Sequence, residues 1–272
     1  MTIRKRRGAK NPARKTPVHG RRKAPSRAPA SLRLYGVHPV AAALANPDRR
    51  CQRLTATGPA LKGLRERLDG DLEREGLVIA VASRDAVAGL LDDGAIHQGL
   101  ALDVAPLPSP PFDEICVSAH APRLVLVDRV NDPQNLGAVI RAAAAFEAGA
   151  VIVPDRHAPE ASGALAKAAS GMLEIVPLLR VANIARTIEQ LQRHGYWCIG
   201  LDGGAPDTIA SADTDGAIAL VLGAEGAGLR RLTRERCDTI LRLPISDAVE
   251  SLNLATAAAV ALYALMPKTS DG

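Results

Sequence analysis

The side chains best suited to chemistry fall in three short stretches of the carboxy-terminal half. In DRVNDPQNLGAVIRAA (128–143), an Asp132-Pro133 turn leads into Asn135, and Arg141 follows six residues later. An amide can cap a helix or orient a partner, and a guanidinium can hold a phosphate or steady a developing negative charge. Gly137 lets another group approach the first turn of the same helix. In LVLGAEGAGL (220–229), an apolar strand through Leu222 runs into Gly223, Gly226 and Gly228, with Glu225 among them. This GxxGxG spacing is not the dinucleotide GxGxxG, and no GKS or GKT follows, which excludes a P-loop. Such glycines let a backbone come close to an adenosine-like ligand. In LPISDAVESLNLATAAAVALY (243–263), Ser251 and Asn253 precede an alanine-rich helix. One helix cap accounts for Ser251 and leaves Asn253 over. Taken singly, each stretch is also explained as a turn, a cap and a solvated side chain. There is no GxSxG elbow and no metal-binding histidine pair, and His97 and His157 stand alone.

The elements that must position these residues alternate in type. From Arg123 onward the apolar runs predict strands at 124–127, 150–153, 174–176, 197–201, 217–222 and 239–243. Between them, helical periodicity covers 136–147, 161–169, 184–194, 229–236 and 252–265. Continuous apolar strands alternating with helices indicate an α/β fold whose parallel sheet is covered on both faces. The three stretches then sit just after strand ends, where open α/β sheets bind ligands. Upstream, residues 32–105 read as a smaller α/β unit, with helices at 36–44, 61–68 and 85–91 and strands at 53–57, 77–82 and 99–104. Residues 106–122 contain five prolines and read as a linker to a second domain over 123–267.

Composition narrows the class. The chain has 272 residues and a formal charge of +5, but residues 1–30 hold 11 of the 34 basic residues and no acid. The remaining 23 bases face 29 acids, so the body is acidic by six charges. Residues 1–31 therefore read as a disordered basic tail, suited to sequence-independent contact with phosphates. At 47% hydrophobic the chain can bury a large core, yet no 18-residue apolar run is available to span a bilayer. Four widely spaced cysteines and the lack of a signal-like apolar segment point to reduced thiols in the cytoplasm. Six aromatic residues make base-stacking platforms a minor theme.

In their order and spacing the three stretches resemble the three motifs of the SpoU/TrmH family of RNA ribose 2′-O-methyltransferases. LYGVHPVAAAL (34–44) and HQGLALDV (97–104) are similar to the start and end of that family's small RNA-binding domain. Within the family the combination most resembles bacterial enzymes that methylate a guanosine ribose in large-subunit ribosomal RNA. The resemblance implies a knotted (trefoil) methyltransferase domain with a parallel sheet, and an N-terminal domain like ribosomal protein L30e. It also implies S-adenosyl-L-methionine as cofactor, ribosomal RNA as partner and an obligate homodimer. By the family pattern Arg141 acts on the ribose 2′-hydroxyl, and Asn135, Glu225, Ser251 and Asn253 orient it, the RNA or the catalytic loops. Leu222, Gly223, Gly226, Leu243, Ile245 and Leu252 match positions that hold the cofactor. A transfer-RNA methylase of the same family, a noncatalytic RNA-binding protein on this fold and a nucleotide-binding Rossmann enzyme are the rival expectations.

Overall fold

In the computed structural model, residues 31–70, 72, 74–117 and 123–267 are described. The basic tail, except for its last residue, lies outside them. The first unit contains β1 (Leu32–Tyr35), α1 (Val37–Ala45), β2 (Cys51–Ala56), α2 (Gly58–Arg67), β3 (Val78–Val81), α3 (Arg84–Ala88) and β4 (Leu100–Val104). Its four strands lie in the order β1-β4-β2-β3, with β1 and β2 antiparallel to β4 and β3 parallel to β2. Short polar caps start its helices. Thr57 accepts the amide of Ala60 at the head of α2, and Ser83 accepts that of Ala86 at α3. Strand β1 is absent from the sequence expectation. Its four residues, LRLY, are too few to show a period, and pairing with β4 is what makes them a strand.

The second unit comprises α4 (Phe112–Val117), β5 (Arg123–Val127), α5 (Pro133–Ala145), β6 (Ala150–Pro154), α6 (Gly163–Ala168), β7 (Leu178–Val181), α7 (Ile184–Arg193), β8 (Trp197–Leu201), β9 (Ile218–Leu222), α8 (Arg231–Arg236), β10 (Thr239–Leu241) and α9 (Leu254–Ala264). The six strands form a parallel sheet ordered β10-β8-β9-β5-β6-β7. Every residue of β5, β6 and β9 is buried, as central parallel strands covered on both faces require. One core joins the sheet to α5 and α9, through Leu136, Ile140, Ala258 and Leu262. The other joins it to α4 and α7, through Ile115, Ile188 and Leu191. Arg123 ties the start of β5 to the end of α9 and to the loop before β9. It is buried at the start of β5 and donates to the carbonyls of Leu265, Gly216 and Thr214 at 2.8, 2.7 and 2.6 Å.

Three local expectations need correction. The strand expected at 174–176 lies instead at β7, because Met172–Glu174 closes as a 3-10 turn and Pro177 ends the irregular stretch before the ladder begins. The linker expected over 106–122 is shorter, since Phe112–Val117 is helical and buries Ile115 and Cys116 in the second core. Helix α5 is capped by Asp132, whose side chain accepts the amide of Gln134 at 2.9 Å, with Pro133 in the first turn. Asn135 is therefore inside the first turn, free of any capping duty.

Candidate active site

Strand β9 ends in a very tight loop. Ala224 and Gly228 exchange both backbone hydrogen bonds at 2.9 Å, so residues 224–228 fold back on themselves and hold Glu225 outward. A Cβ on Gly223 would collide with the backbone of Gly228, so only glycine allows this closure. Gly226 and Gly228 take φ of 74° and 65°, the left-handed region that side-chain-bearing residues avoid. The loop's exit is clamped by Asp128 at the end of β5. Its buried carboxylate accepts the backbone amide of Arg230 at 3.1 Å and the Nε of the same residue at 2.9 Å. Those hydrogen bonds, then the charge of Asp128, raise the Arg230 pKa above its ordinary value.

Hydrogen bonds link the three motif stretches in a defined direction. The amides of Ala255 and Thr256, at the start of α9, donate to Asn253 Oδ1 at 2.9 and 3.4 Å. Asn253 Nδ2 donates to Asn135 Oδ1 at 2.8 Å, and Asn135 Nδ2 donates to Glu225 Oε2 at 2.9 Å. Each side-chain amide has both ends committed, so neither can flip without losing a bond. Asn253, not Ser251, is thus the cap of α9, and it has a second duty that the sequence left unexplained. Glu225 Oε1 has no hydrogen-bond partner among the described residues and faces outward with the loop.

Beside this relay lies a cleft of about 340 Å³, within the range of small-molecule sites. Leu222, Gly223, Gly226, Leu243, Ile245 and Leu252 all line it, as do Glu225 and Ser251. Asn135 and Asn253 reach it only through Glu225. Arg141 is not part of the lining; it is exposed on α5 and makes no hydrogen bond or ion pair with any described residue. Six residues at 1.5 Å rise set it about 9 Å along the helix from Asn135, and about 120° around it. The sequence reading missed Leu201 at the end of β8, Asp202 and Gly203 just beyond it, and Glu250. Asp202 accepts the amide of Gly204 at 2.9 Å and pairs with Arg234. The signal for it was a strand ending in Asp-Gly-Gly. Its relevance depends on β8 lying next to β9, which local patterns do not show.

The lining bears on what can bind. No lysine or arginine is among the lining residues, whereas Asp202, Glu225 and Glu250 are. Such a lining repels phosphates and suits a ligand with positive charge. Apolar side chains from three segments and a glycine backbone offer a flat, close surface for a purine ring. Among the described residues no cluster could hold a metal ion.

Comparison with known proteins adds the decisive observation. Residues 122–263 match the SpoU rRNA Methylase family, more than half of the chain. The chain belongs to the SpoU rRNA methylase family. Residues 33–110 match a second description, the RNA 2'-O ribose methyltransferase substrate-binding domain. The SpoU chain is 38% identical over 241 residues to the 23S rRNA (guanosine-2'-O-)-methyltransferase RlmB of Pasteurella multocida, covering 87% of this chain and 98% of that one. It is also 38% identical over 237 residues to RlmB of Escherichia coli K12, covering 85% and 96%. Among solved structures it is similar to the SpoU methyltransferase AviRb of Streptomyces viridochromogenes, captured with AdoMet. The TM-score is 0.73 at 25% identity, covering 87% of this chain and 89% of that one. As a SpoU methylase this protein takes its methyl group from S-adenosyl-L-methionine, and the acidic, partly apolar cleft fits that sulfonium cofactor. The 223–228 loop lines one cleft with Leu243, Ile245, Glu250, Ser251 and Leu252, the juxtaposition expected of the knotted fold that characterises this family. A nucleotide-binding Rossmann enzyme is excluded.

Proposed function

We propose that this protein methylates the 2′-hydroxyl of a guanosine ribose in 23S ribosomal RNA. The observation that carries the reading is the Asn253–Asn135–Glu225 relay at the rim of an acidic cleft, in a chain 38% identical to RlmB proteins over nearly their full length. When bound, S-adenosyl-L-methionine supplies an electrophilic methyl on a sulfonium. Leu222, Leu243, Ile245 and Leu252 would hold its apolar parts, with the backbone at Gly223 and Gly226 on the same lining. Glu225, held by Asn135, presents its second oxygen to a hydroxyl or amide donor. Ser251, exposed on the lining, offers a hydroxyl to the same ligands.

The ribose hydroxyl is a weak nucleophile, so orientation is the main service the protein can render. Arg141 has the chemistry for this but is a poor base, because guanidinium stays protonated. We assign it to holding the ribose or its phosphate and steadying the oxygen as its proton leaves to solvent water. Its exposure outside the cleft fits a site shared between two copies of the chain. Helix α9, packed on α5, exposes Val260 and Tyr263 four and seven residues after exposed Thr256, a stripe suited to self-association. A homodimer is the assembly these features support, and the reaction proposed places it with ribosomal RNA in the cytoplasm.

Mapping of ribose methylation in total RNA, with and without the gene, tests the reaction. Loss of one 2′-O-methylguanosine from 23S RNA is the expected result; loss from transfer RNA alone would overturn the substrate. Calorimetry with S-adenosyl-L-methionine tests the cleft, and absence of binding would favour a noncatalytic RNA-binding protein. Sedimentation of the intact chain tests the dimer, with Tyr263→Asp expected to yield monomers.

A further inference from the structure

We propose that the contact between the two units is a built positioning joint, which sets bound RNA in register with the helix that carries Asn135 and Arg141. The proposal rests on the methylation of ribosomal RNA argued above, and concerns how that RNA is placed.

Two polar clusters make the joint. At the first, Arg49 of the N-terminal unit and Glu174 of the methylase unit form an ion pair whose side chains are only 3% and 5% exposed. Arg49 donates Nη2 to Oε1 at 2.6 Å and Nε to Oε2 at 3.0 Å, in a fork. Its Nη1 donates to the carbonyl of Ala105 at 2.8 Å, just before the linker, and Asn46 Nδ2 donates to Glu174 Oε2 at 2.9 Å. A dry pair of this kind carries a heavy desolvation cost and tolerates little displacement. A loosely tethered domain would leave both charges hydrated, so a pair as dry as this marks a fixed contact.

At the second cluster, Lys167 Nζ of α6 donates to Gln98 Oε1 at 2.7 Å, and the same oxygen accepts the amide of Val37 at 3.1 Å. Gln98 sits at φ 54°, held there between His97 and Gly99. A Cβ on Gly36 would strike Lys167, one on Gly163 would strike Tyr35 and the backbone of Arg33, and one on Gly171 would strike Ala42. The LYGVH and HQG stretches thus help to build the joint itself. From there the path to the site is short. Helix α6 lies on α5 so closely that a Cβ on Gly137 would strike Ala168, and Gly137 is two residues from Asn135.

Arg49, Glu174, Gln98 and Lys167 are therefore positioning residues for the RNA. Spin labels on Lys62→Cys and Arg193→Cys, one in each unit and both at exposed sites, report the joint by pulsed electron resonance in the full chain. The parent should give one narrow distance. Glu174→Gln, and the milder Gln98→Ala and Lys167→Ala at the exposed cluster, should broaden it with the cofactor Kd unchanged. With a large 23S fragment these variants should raise KM about tenfold or more and leave kcat within threefold, because the two units no longer present one pre-set surface. With a short oligonucleotide around the target guanosine, KM should not move. A broad distance in the parent, or a broadened variant with unaltered KM on the large fragment, overturns the proposal. A parent that methylates no ribosomal fragment counts against the functional reading, and the distance measurement then decides the joint alone.

Discussion

Substitution of Asn253 by aspartate and by alanine should separate the two duties of this residue, with aspartate the less active of the two. Aspartate keeps an oxygen for the amides of Ala255 and Thr256, and it caps helices as well as asparagine does. Its negative charge at the start of α9 is favourable as well. Yet its second oxygen would face Asn135 Oδ1, now 2.8 Å from a donor. Asn135 can then flip to donate to the new carboxylate, but this turns its own oxygen towards Glu225 Oε2. One acceptor–acceptor contact is unavoidable, and the hydrogen bond to Glu225 is lost in the flipped state. A hydrogen bond to a charged group contributes about 1.5–3 kcal/mol. At 1.36 kcal/mol per tenfold, kcat/KM should fall roughly 10- to 150-fold for Asn253→Asp. The alanine variant only frees the Asn135 amide, a loss of about 0.5–1.5 kcal/mol, or roughly 2- to 13-fold. It also loses the cap, about 1 kcal/mol of stability and roughly 2–4 °C in Tm. Transfer of labelled methyl to a 23S fragment, together with thermal denaturation, measures both. An aspartate variant within threefold of the parent would refute the relay.

Arg141→Ala should lower methyl transfer by about 100-fold or more while leaving cofactor Kd unchanged by calorimetry, and activity within a few-fold would remove Arg141 from the reaction. Arg123→Met strips a buried donor from three carbonyls, each costing about 1 kcal/mol or more, and should lower the urea midpoint by ~1 M. Burial, aided by Asp113, pushes the Cys116 thiol up to about 11, and burial with Asp238 and Asp128 pushes that of Cys237 up to about 12. Both should resist a thiol reagent at pH 8 in the native protein. Their contribution to stability is full below pH 9, where the unfolded thiols begin to ionise, and should be lost as pH rises towards 11–12 in alkaline denaturation. Removal of residues 1–30, with their 11 basic residues, should weaken RNA binding at low salt and flatten its salt dependence without changing the methylated nucleotide. A shifted target would show that the tail reads sequence.

Much of this protein was legible before folding, because the relevant information is local. Apolar runs of four or five residues at 124–127, 197–201 and 218–222 mark parallel strands, and ligands gather where such strands end. The glycines of 223–228 could be read because a tight turn needs them whatever surrounds it. All six expected cofactor residues line one cleft. Where expectation failed, the deciding partner was distant. The strand expected at 174–176 begins instead at Leu178, after the 3-10 turn and Pro177, where pairing with Val151 of β6 starts the ladder. Four residues become β1 only through β4, some 70 residues later.

The amino-acid sequence by itself therefore determined the class of fold, the three stretches of the site and the basic tail, since periodicity, turn chemistry and charge act within a few residues. Only the tertiary structure decided which amide capped α9, which way the Asn253–Asn135–Glu225 relay runs and where Arg141 stands. It also decided how the two units meet. Each of these depends on hydrogen bonds between residues 90 to 128 positions apart, or on the face a helix turns outward, and no local pattern encodes either.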